Sequence, residues 1–206
     1  MDPPTTAMLV DLEPERFLFI DHILMAVFNL DLAEYAFAQV LDGIPTRTAF
    51  KQTRGSYAEA PEIVNREEPT EIARTNFREF RQWLQPAFLA VDSQAVQTYQ
   101  DAALFSDQFF FRLLRVVAHA VHSLGRVIYM CSNNRPVYHY TGFPHRPPDL
   151  RHPNYQAFQM DPYGVADGVG YWVETQIFGG IILFEHESSQ STSKVLLYLR
   201  TTKGAC

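Results

Sequence analysis

The chain has little cysteine and lacks the spacing that cysteine-based sites need. Its 206 residues contain two cysteines, Cys131 and Cys206, and no CxxC pair. Two cysteines cannot build a disulfide framework, and the common redox and zinc motifs require closely spaced pairs. A reducing compartment is therefore the expected environment, and we predict a cytoplasmic protein.

Excess positive charge is also missing. The formal net charge is -6, whereas nucleic-acid binding needs a basic surface that neutralises phosphates. The most apolar region, residues 17–41, is interrupted by Asp21, Asp31 and Glu34, so it does not read as a membrane span. The first residues, MDPPTTAMLVDLEPE, lack the basic and apolar parts of a signal peptide. We expect neither a nucleic-acid nor a membrane partner.

Motifs that would name a cofactor or a nucleophile are absent as well. The sequence contains no GxSxG, no GxxxxGK[ST], no GxGxxG opening a helix and no HExxH. These patterns mark nucleophile elbows, phosphate loops, dinucleotide sites and zinc proteases respectively. We therefore predict no cofactor.

What is present predicts one α+β domain over residues 1–206. Hydrophobic residues make up 47% of the chain, which is enough for a sizeable core. A mainly helical N-terminal two-thirds should pack against a small antiparallel sheet formed by the C-terminal third. Residues 1–14, with three prolines, should be a mobile lead-in, and homo-oligomerisation stays open. The sequence predicts helix starts at Thr70, at Asp92-Ser93 and at Ser106-Asp107, and it offers Asp31 as the cap of a second helix within residues 15–41.

The strongest local pattern lies in residues 167–187. Residues 171–178 and 181–186 are rich in β-branched and aromatic side chains, with Gly179-Gly180 between them. This arrangement predicts a β-hairpin, and its register would place Glu174 opposite Glu185. A bulge or kink in one long strand is the alternative. Residues 194–201 should form a third strand.

The hairpin and the preceding loop hold the candidate catalytic residues. Two facing carboxylates in a pocket would have one raised pKa and could act as an acid–base pair. If both point into water or pair with arginine, neither pKa is raised and no such pair forms. A histidine near a carboxylate can act as a general base near neutral pH. The predicted catalytic cluster is His139, Asp167, Glu174 and His186.

Substrate-binding residues are predicted on both sides of this cluster. Trp172 could form an apolar wall and Glu185 a polar one. The proline-rich residues 132–164 also carry Tyr140 and Arg146, within a locally basic group of histidines and arginines. Arginine offers a planar donor fork to carboxylate or phosphate, although these residues could equally be surface charges.

These residues predict a small cytosolic enzyme that acts on an organic small molecule by acid–base chemistry. The reaction would be an isomerisation, dehydration or cyclisation, lyase- or isomerase-like, without a nucleotide cofactor. One alternative is a non-catalytic interaction module that uses residues 132–164. A second is a metal-dependent enzyme built on His119 and His122, whose spacing points both side chains to one side of a helix.

One segment resembles a known group of sequences. YHYTGFPHRPPDLRHPNY, followed by GVADGVGYWVETQIFGGIILFEH, is similar to a stretch found in uncharacterised proteins of filamentous fungi. The resemblance covers residues 138–187. It implies a fungal origin and brings no reaction or site residues with it.

Overall fold

The computed structural model describes residues 5–54, 61–132, 150, 163–184 and 195–199. These residues form eight α-helices and two antiparallel pairs of strands. The helices are α1 (Pro14–Phe28), α2 (Asp31–Asp42), α3 (Arg47–Arg54), α4 (Pro61–Val64), α5 (Glu71–Trp83), α6 (Ser93–Asp101), α7 (Asp107–Cys131) and α8 (Val165–Phe178). The strands are β1 (Thr6–Met8), β2 (Ala90–Asp92), β3 (Gly180–Phe184) and β4 (Val195–Leu199).

Three helices begin at predicted N-cap residues, but the prediction that Asp31 caps α2 is wrong, because Asp31 is the first residue of α2 and Leu30 holds the N-cap position. Thr70, Asp92 and Ser106 precede α5, α6 and α7, and each side chain accepts a hydrogen bond from a backbone N–H in the first turn. The donors are Ala73, Ala95 and Phe109. Because the first N–H groups of a helix have no partner within it, such a side chain fixes where the helix starts.

The long helix α7 runs through the middle of the core. It contacts α1, α2, α6 and α8, and its buried side chains lie along most of its length. Residues 126–131, whose apolar side chains fit a strand as well as a helix, continue α7 to Cys131. No helix within the described ranges is both long and apolar enough to cross a membrane.

The predicted hairpin is wrong in its first half, because residues 171–178 belong to α8. Apolar residues here fit both periods: a two-residue alternation and a helical spacing that buries Val169, Trp172, Val173 and Ile177. Packing against α7 decides for the helix. Gly179 ends α8 in the left-handed conformation, with φ of 75°. The glycine pair therefore joins a helix to a strand, and β3 pairs with β4.

The sheet is also divided differently from the prediction. The fold is mostly helical with small antiparallel sheets, but one of the two strand pairs, β1–β2, belongs to the N-terminal part of the chain. Its strand β1 lies in the lead-in expected to be mobile. From residue 5 this segment is packed onto the body, because Leu9 is fully buried and Leu12 nearly so.

Two alanine substitutions distinguish a helix end at Gly179 from a hairpin turn at Gly179-Gly180. We expect Gly179→Ala to destabilise the fold by roughly 1 kcal/mol, since a side chain strains the left-handed conformation. Gly180→Ala should cost clearly less, because Gly180 begins β3 and does not have positive φ. Urea unfolding of both variants measures this. Equal losses would favour the two-glycine turn, in which both residues need positive φ.

Candidate functional site

Helix α8 presents four functional residues on one face. Asp167, Gly170, Tyr171 and Glu174 are spaced by three, one and three residues, which places them in a row along a helix. This row faces His122 on α7. The side chains of Asp167 and Glu174 are 8% and 5% exposed, so both carboxyl groups lie almost out of water and need partners.

His122 bridges the two carboxyl groups. Its Nδ1 lies 2.8 Å from Oε1 of Glu174, and its Nε2 lies 3.4 Å from Oδ1 of Asp167. The Tyr171 ring meets the imidazole edge-on, with centroids 4.5 Å apart. Both ring nitrogens are thus directed at acceptors, an arrangement that favours the doubly protonated imidazolium.

Asp167 is held in place from two further sides. The backbone N–H of Tyr163 donates to its Oδ2 at 2.9 Å, and the Arg126 guanidinium lies 3.6 Å from Oδ1. Arg126 in turn sits over the Tyr163 ring, 3.7 Å from its centroid, where the ring face attracts the cation. Arg126 and His122 are one turn apart on α7, so one helix supplies both cations to this carboxylate.

The pKa values follow from these contacts. Burial alone would lower the pKa of His122, but its hydrogen bonds to Asp167 and Glu174 outweigh burial and raise the pKa to about 9. Burial raises the pKa of Glu174, against the hydrogen bonds from His122 and the Ile182 backbone N–H. The pKa of Asp167 is lowered, because its hydrogen bonds and the nearby Arg126 outweigh the effect of burial. At neutral pH, His122 is a cation.

A cavity of about 240 Å³ lies beside this cluster. Glu174 and His122 both line it, and the Tyr171 ring does so beside them. The full lining is Arg115, Ala118, His119 and His122 from α7, Tyr171 and Glu174 from α8, and Ile181 and Ile182 from β3. The acid–base cluster thus forms part of the wall of a partly open cavity whose lining is both polar and apolar.

His119 faces the same cavity in the opposite charge state. It precedes His122 by three residues on α7, so the two imidazoles share one side of the helix. The pKa of His119 is lowered to about 4, chiefly by burial; the charge of Asp92 acts against this shift, and the positive charges of Arg115 and His122 add to it. A neutral imidazole and an imidazolium therefore line one space at neutral pH.

The two carboxyl groups predicted as catalytic, Asp167 and Glu174, meet at this site. Trp172 does not line the cavity: it is fully buried on another side of α8. With residues 171–178 in a helix, the register that paired Glu174 with Glu185 has no basis. The remaining predicted residues, His139, Tyr140, Arg146, Glu185 and His186, lie outside the described residues.

The sequence reasoning missed what His122, Arg126 and Tyr171 do here. It singled out His122 only as a metal ligand, with His119. Within the described part of the chain, no group of three or more His, Cys, Asp or Glu side chains is arranged to hold a metal ion. A signal for the observed site did exist, because Asp167, Tyr171 and Glu174 follow helical spacing opposite a histidine-bearing helix.

The arginines of α5 are engaged within the protein. Arg78 makes a two-pronged contact with Glu34 of α2, at 2.8 and 3.0 Å, and Arg81 donates to the backbone carbonyl of Phe28 at 3.2 Å. Arg74 contacts Glu68. Arg78 and Arg81 therefore hold α5 to α2 and α1.

A second cavity, of about 510 Å³, is larger but chemically poorer. Its one carboxylate, Asp42, accepts hydrogen bonds from the Thr70 backbone N–H and hydroxyl at 2.9 and 2.6 Å and also pairs with Arg66. These contacts cap α5 and tie it to α2. Size alone would favour this cavity, but the perturbed acid–base groups favour the one at His122.

No protein-family model, curated protein or solved structure matches the chain. The function must therefore be inferred from the geometry of the site, and the resemblance over residues 138–187 stays a prediction.

The opposite charge states of the two histidines can be measured directly. In an NMR titration of the ring carbon-bound protons, we expect one histidine to titrate near pH 4 and another near pH 9. His119→Asn should remove the first transition and His122→Asn the second. The geometry would be contradicted if the transitions that these two substitutions remove lay between pH 6 and 7.

At Gly170 the backbone of α8 lies against the His122 ring. A Cβ at Gly170 would lie 2.7 Å from three atoms of the His122 ring, so Gly170→Ala forces the ring to move. We expect a loss of about 1–3 kcal/mol, as for other overpacked sites, measured by urea unfolding. In a His122→Asn background the ring is gone, and alanine should then be neutral or stabilising because it favours helix. The same loss in both backgrounds would place the strain elsewhere.

Proposed function

We propose that the protein is an enzyme that acts on a small organic molecule by acid–base chemistry, as an isomerase, dehydratase or cyclase, without a nucleotide cofactor. One observation carries this proposal: a neutral His119 and the cationic His122, hydrogen-bonded to Glu174, line the same cavity. Groups whose pKa values are pushed apart in one cavity are what acid–base catalysis needs.

Each group has a distinct role in such a reaction. Neutral His119 accepts a proton from the substrate, because its lone pair is available at neutral pH. Glu174, whose pKa burial raises, takes a proton from the His122 imidazolium along their hydrogen bond and passes it to an oxygen of the substrate. Solvent, which reaches the partly open cavity, takes the proton from His119 and resupplies His122.

Asp167, Arg126 and Tyr163 are positioning residues in this proposal. They do not line the cavity. Asp167 keeps the His122 ring oriented and charged, and the other two hold Asp167. Their effect on a reaction would be indirect, through the pKa of His122.

The rival predictions gain less from the structure. The interaction module depends on residues 132–164, most of which are not described. The metal-dependent alternative finds no third ligand for His119 and His122 among the described residues. A cytoplasmic location stays a prediction.

A deuterium-exchange screen tests the proposal over a range of candidate substrates. Purified protein is incubated in D2O with a panel of small ketones, aldehydes, alcohols and carboxylic acids, and mass spectrometry follows deuterium uptake, loss of water and isomer ratios. We expect at least one compound to react. Glu174→Gln and His119→Asn should each lower that rate by about 100-fold or more, as for removal of a general acid or base.

His22→Asn is the matched control for the screen. His22 is an exposed histidine of α1 that does not line the cavity, so its replacement should leave the rate unchanged. A wild-type protein that converts and deuterates no compound would speak against the proposal, as would full activity in the Glu174→Gln, His119→Asn double variant.

A further inference from the structure

We propose that the cavity beside His122 takes a small aliphatic carboxylic acid as its monoanion, with the carboxylate beside Arg115 and the hydrocarbon part against Ile181 and Ile182. The inference rests on the proposed function, since it names the substrate class of the same cavity. Four properties of the lining carry it: charge, size, the position of Glu174 and the apolar wall.

The charge of the lining favours an anion. Arg115, His119 and His122 lie on one face of α7, at spacings of four and three residues. Arg115 is close enough to depress the pKa of His119 by its charge. A guanidinium presents parallel N–H donors that match the two oxygens of a carboxylate. His122 is cationic as well, but Glu174 and Asp167 lie against it, so Arg115 is the cation of α7 best placed to meet an anion.

The size of the cavity restricts the ligand to a small molecule. Its volume of about 240 Å³ lies below the range of roughly 300–1,000 Å³ typical of sites for drug-sized ligands. A nucleotide or a coenzyme would not be enclosed.

The position of Glu174 favours a single negative charge. Its carboxyl group belongs to the lining and is buried against His122 and the Ile182 backbone N–H. A phosphate dianion placed in the same small space would face this carboxylate at short range, where like charges repel strongly. A carboxylate monoanion held at Arg115 meets much less of that repulsion.

The side of the cavity formed by β3 is apolar. Ile181 and Ile182 are 3% and 6% exposed, and Ala118 of α7 adds a third aliphatic side chain to the lining. A fully hydrophilic anion would make no apolar contact with this wall, whereas a branched alkyl group would cover it and bind more tightly through burial of apolar surface. The lining therefore has a charged part and a hydrocarbon part, as an aliphatic acid does.

Titration with simple probes tests this inference. The ring signals of His119 are followed by NMR at neutral pH and constant ionic strength while isovalerate, isovaleramide or inorganic phosphate is added. We expect saturable shifts with isovalerate, and binding weaker by about tenfold or more for the amide, which lacks the charge. Phosphate should bind more weakly than isovalerate.

Arginine variants locate the anion. Arg115→Gln should weaken isovalerate binding by about tenfold or more, and Arg115→Lys should give an intermediate affinity because it keeps the charge without the fork. Arg112→Gln is the matched control: Arg112 is on the same helix, donates to the Thr98 carbonyl at 2.8 Å and does not line the cavity. Its replacement should leave binding unchanged. If Arg115→Gln fails to fold, the comparison of acid with amide on the wild-type protein decides.

Three results would overturn the inference: no saturable shift with isovalerate, equal affinity for acid and amide, or tighter binding of phosphate. These are separable from failure of the proposed function. If the protein binds isovalerate saturably but converts no compound in the screen, the carboxylate site is supported and the proposed enzymatic function is contradicted. Exchange confined to uncharged compounds, without carboxylate binding, would do the reverse.

Discussion

One imidazole held between two buried carboxyl groups determines how the C-terminal part of the described fold is arranged. An ion in the protein interior is stable only if its partners are close and well oriented. His122 receives Glu174 on one nitrogen and Asp167 on the other, and the two carboxyl groups come from a single helix. The position of α8 along α7 is thereby set by polar contacts as well as by packing, and Gly170 provides the space for the ring.

Much of the helical part of the fold is predictable from local signals. The caps at Thr70, Asp92 and Ser106 act within a single helical turn, so the sequence alone contains the information. Residues 171–178 are different, because their apolar residues satisfy a strand and a helix equally well. Contact with α7, which is distant in sequence, decides between the two, and no local pattern reports it. The Gly-Gly pair fits either outcome, as a turn or as a helix end followed by a strand.

The site was predictable in its residue types but not in its pairing. Asp167 and Glu174 stand out from sequence as carboxylates in an apolar stretch, and His119 and His122 stand out by their spacing. That Glu174 meets His122 depends on how α7 and α8 pack, whereas a hairpin would place Glu174 near histidines further along the chain. The role of Arg126 arises only when Asp167 and Tyr163 come together, which no local pattern reports.

The two cavity histidines also tie the stability of the fold to proton uptake. His122 has a folded pKa of about 9, above the ordinary value of about 6.5, so its stabilising effect is complete below pH 6.5 and is lost as pH rises through 9. His119 has a folded pKa of about 4, so its contribution is complete above pH 6.5 and is lost as pH falls towards 4. Folding thus favours the protonated form of His122 and the neutral form of His119. The combined contribution of these two histidines to stability is therefore greatest near pH 6.5.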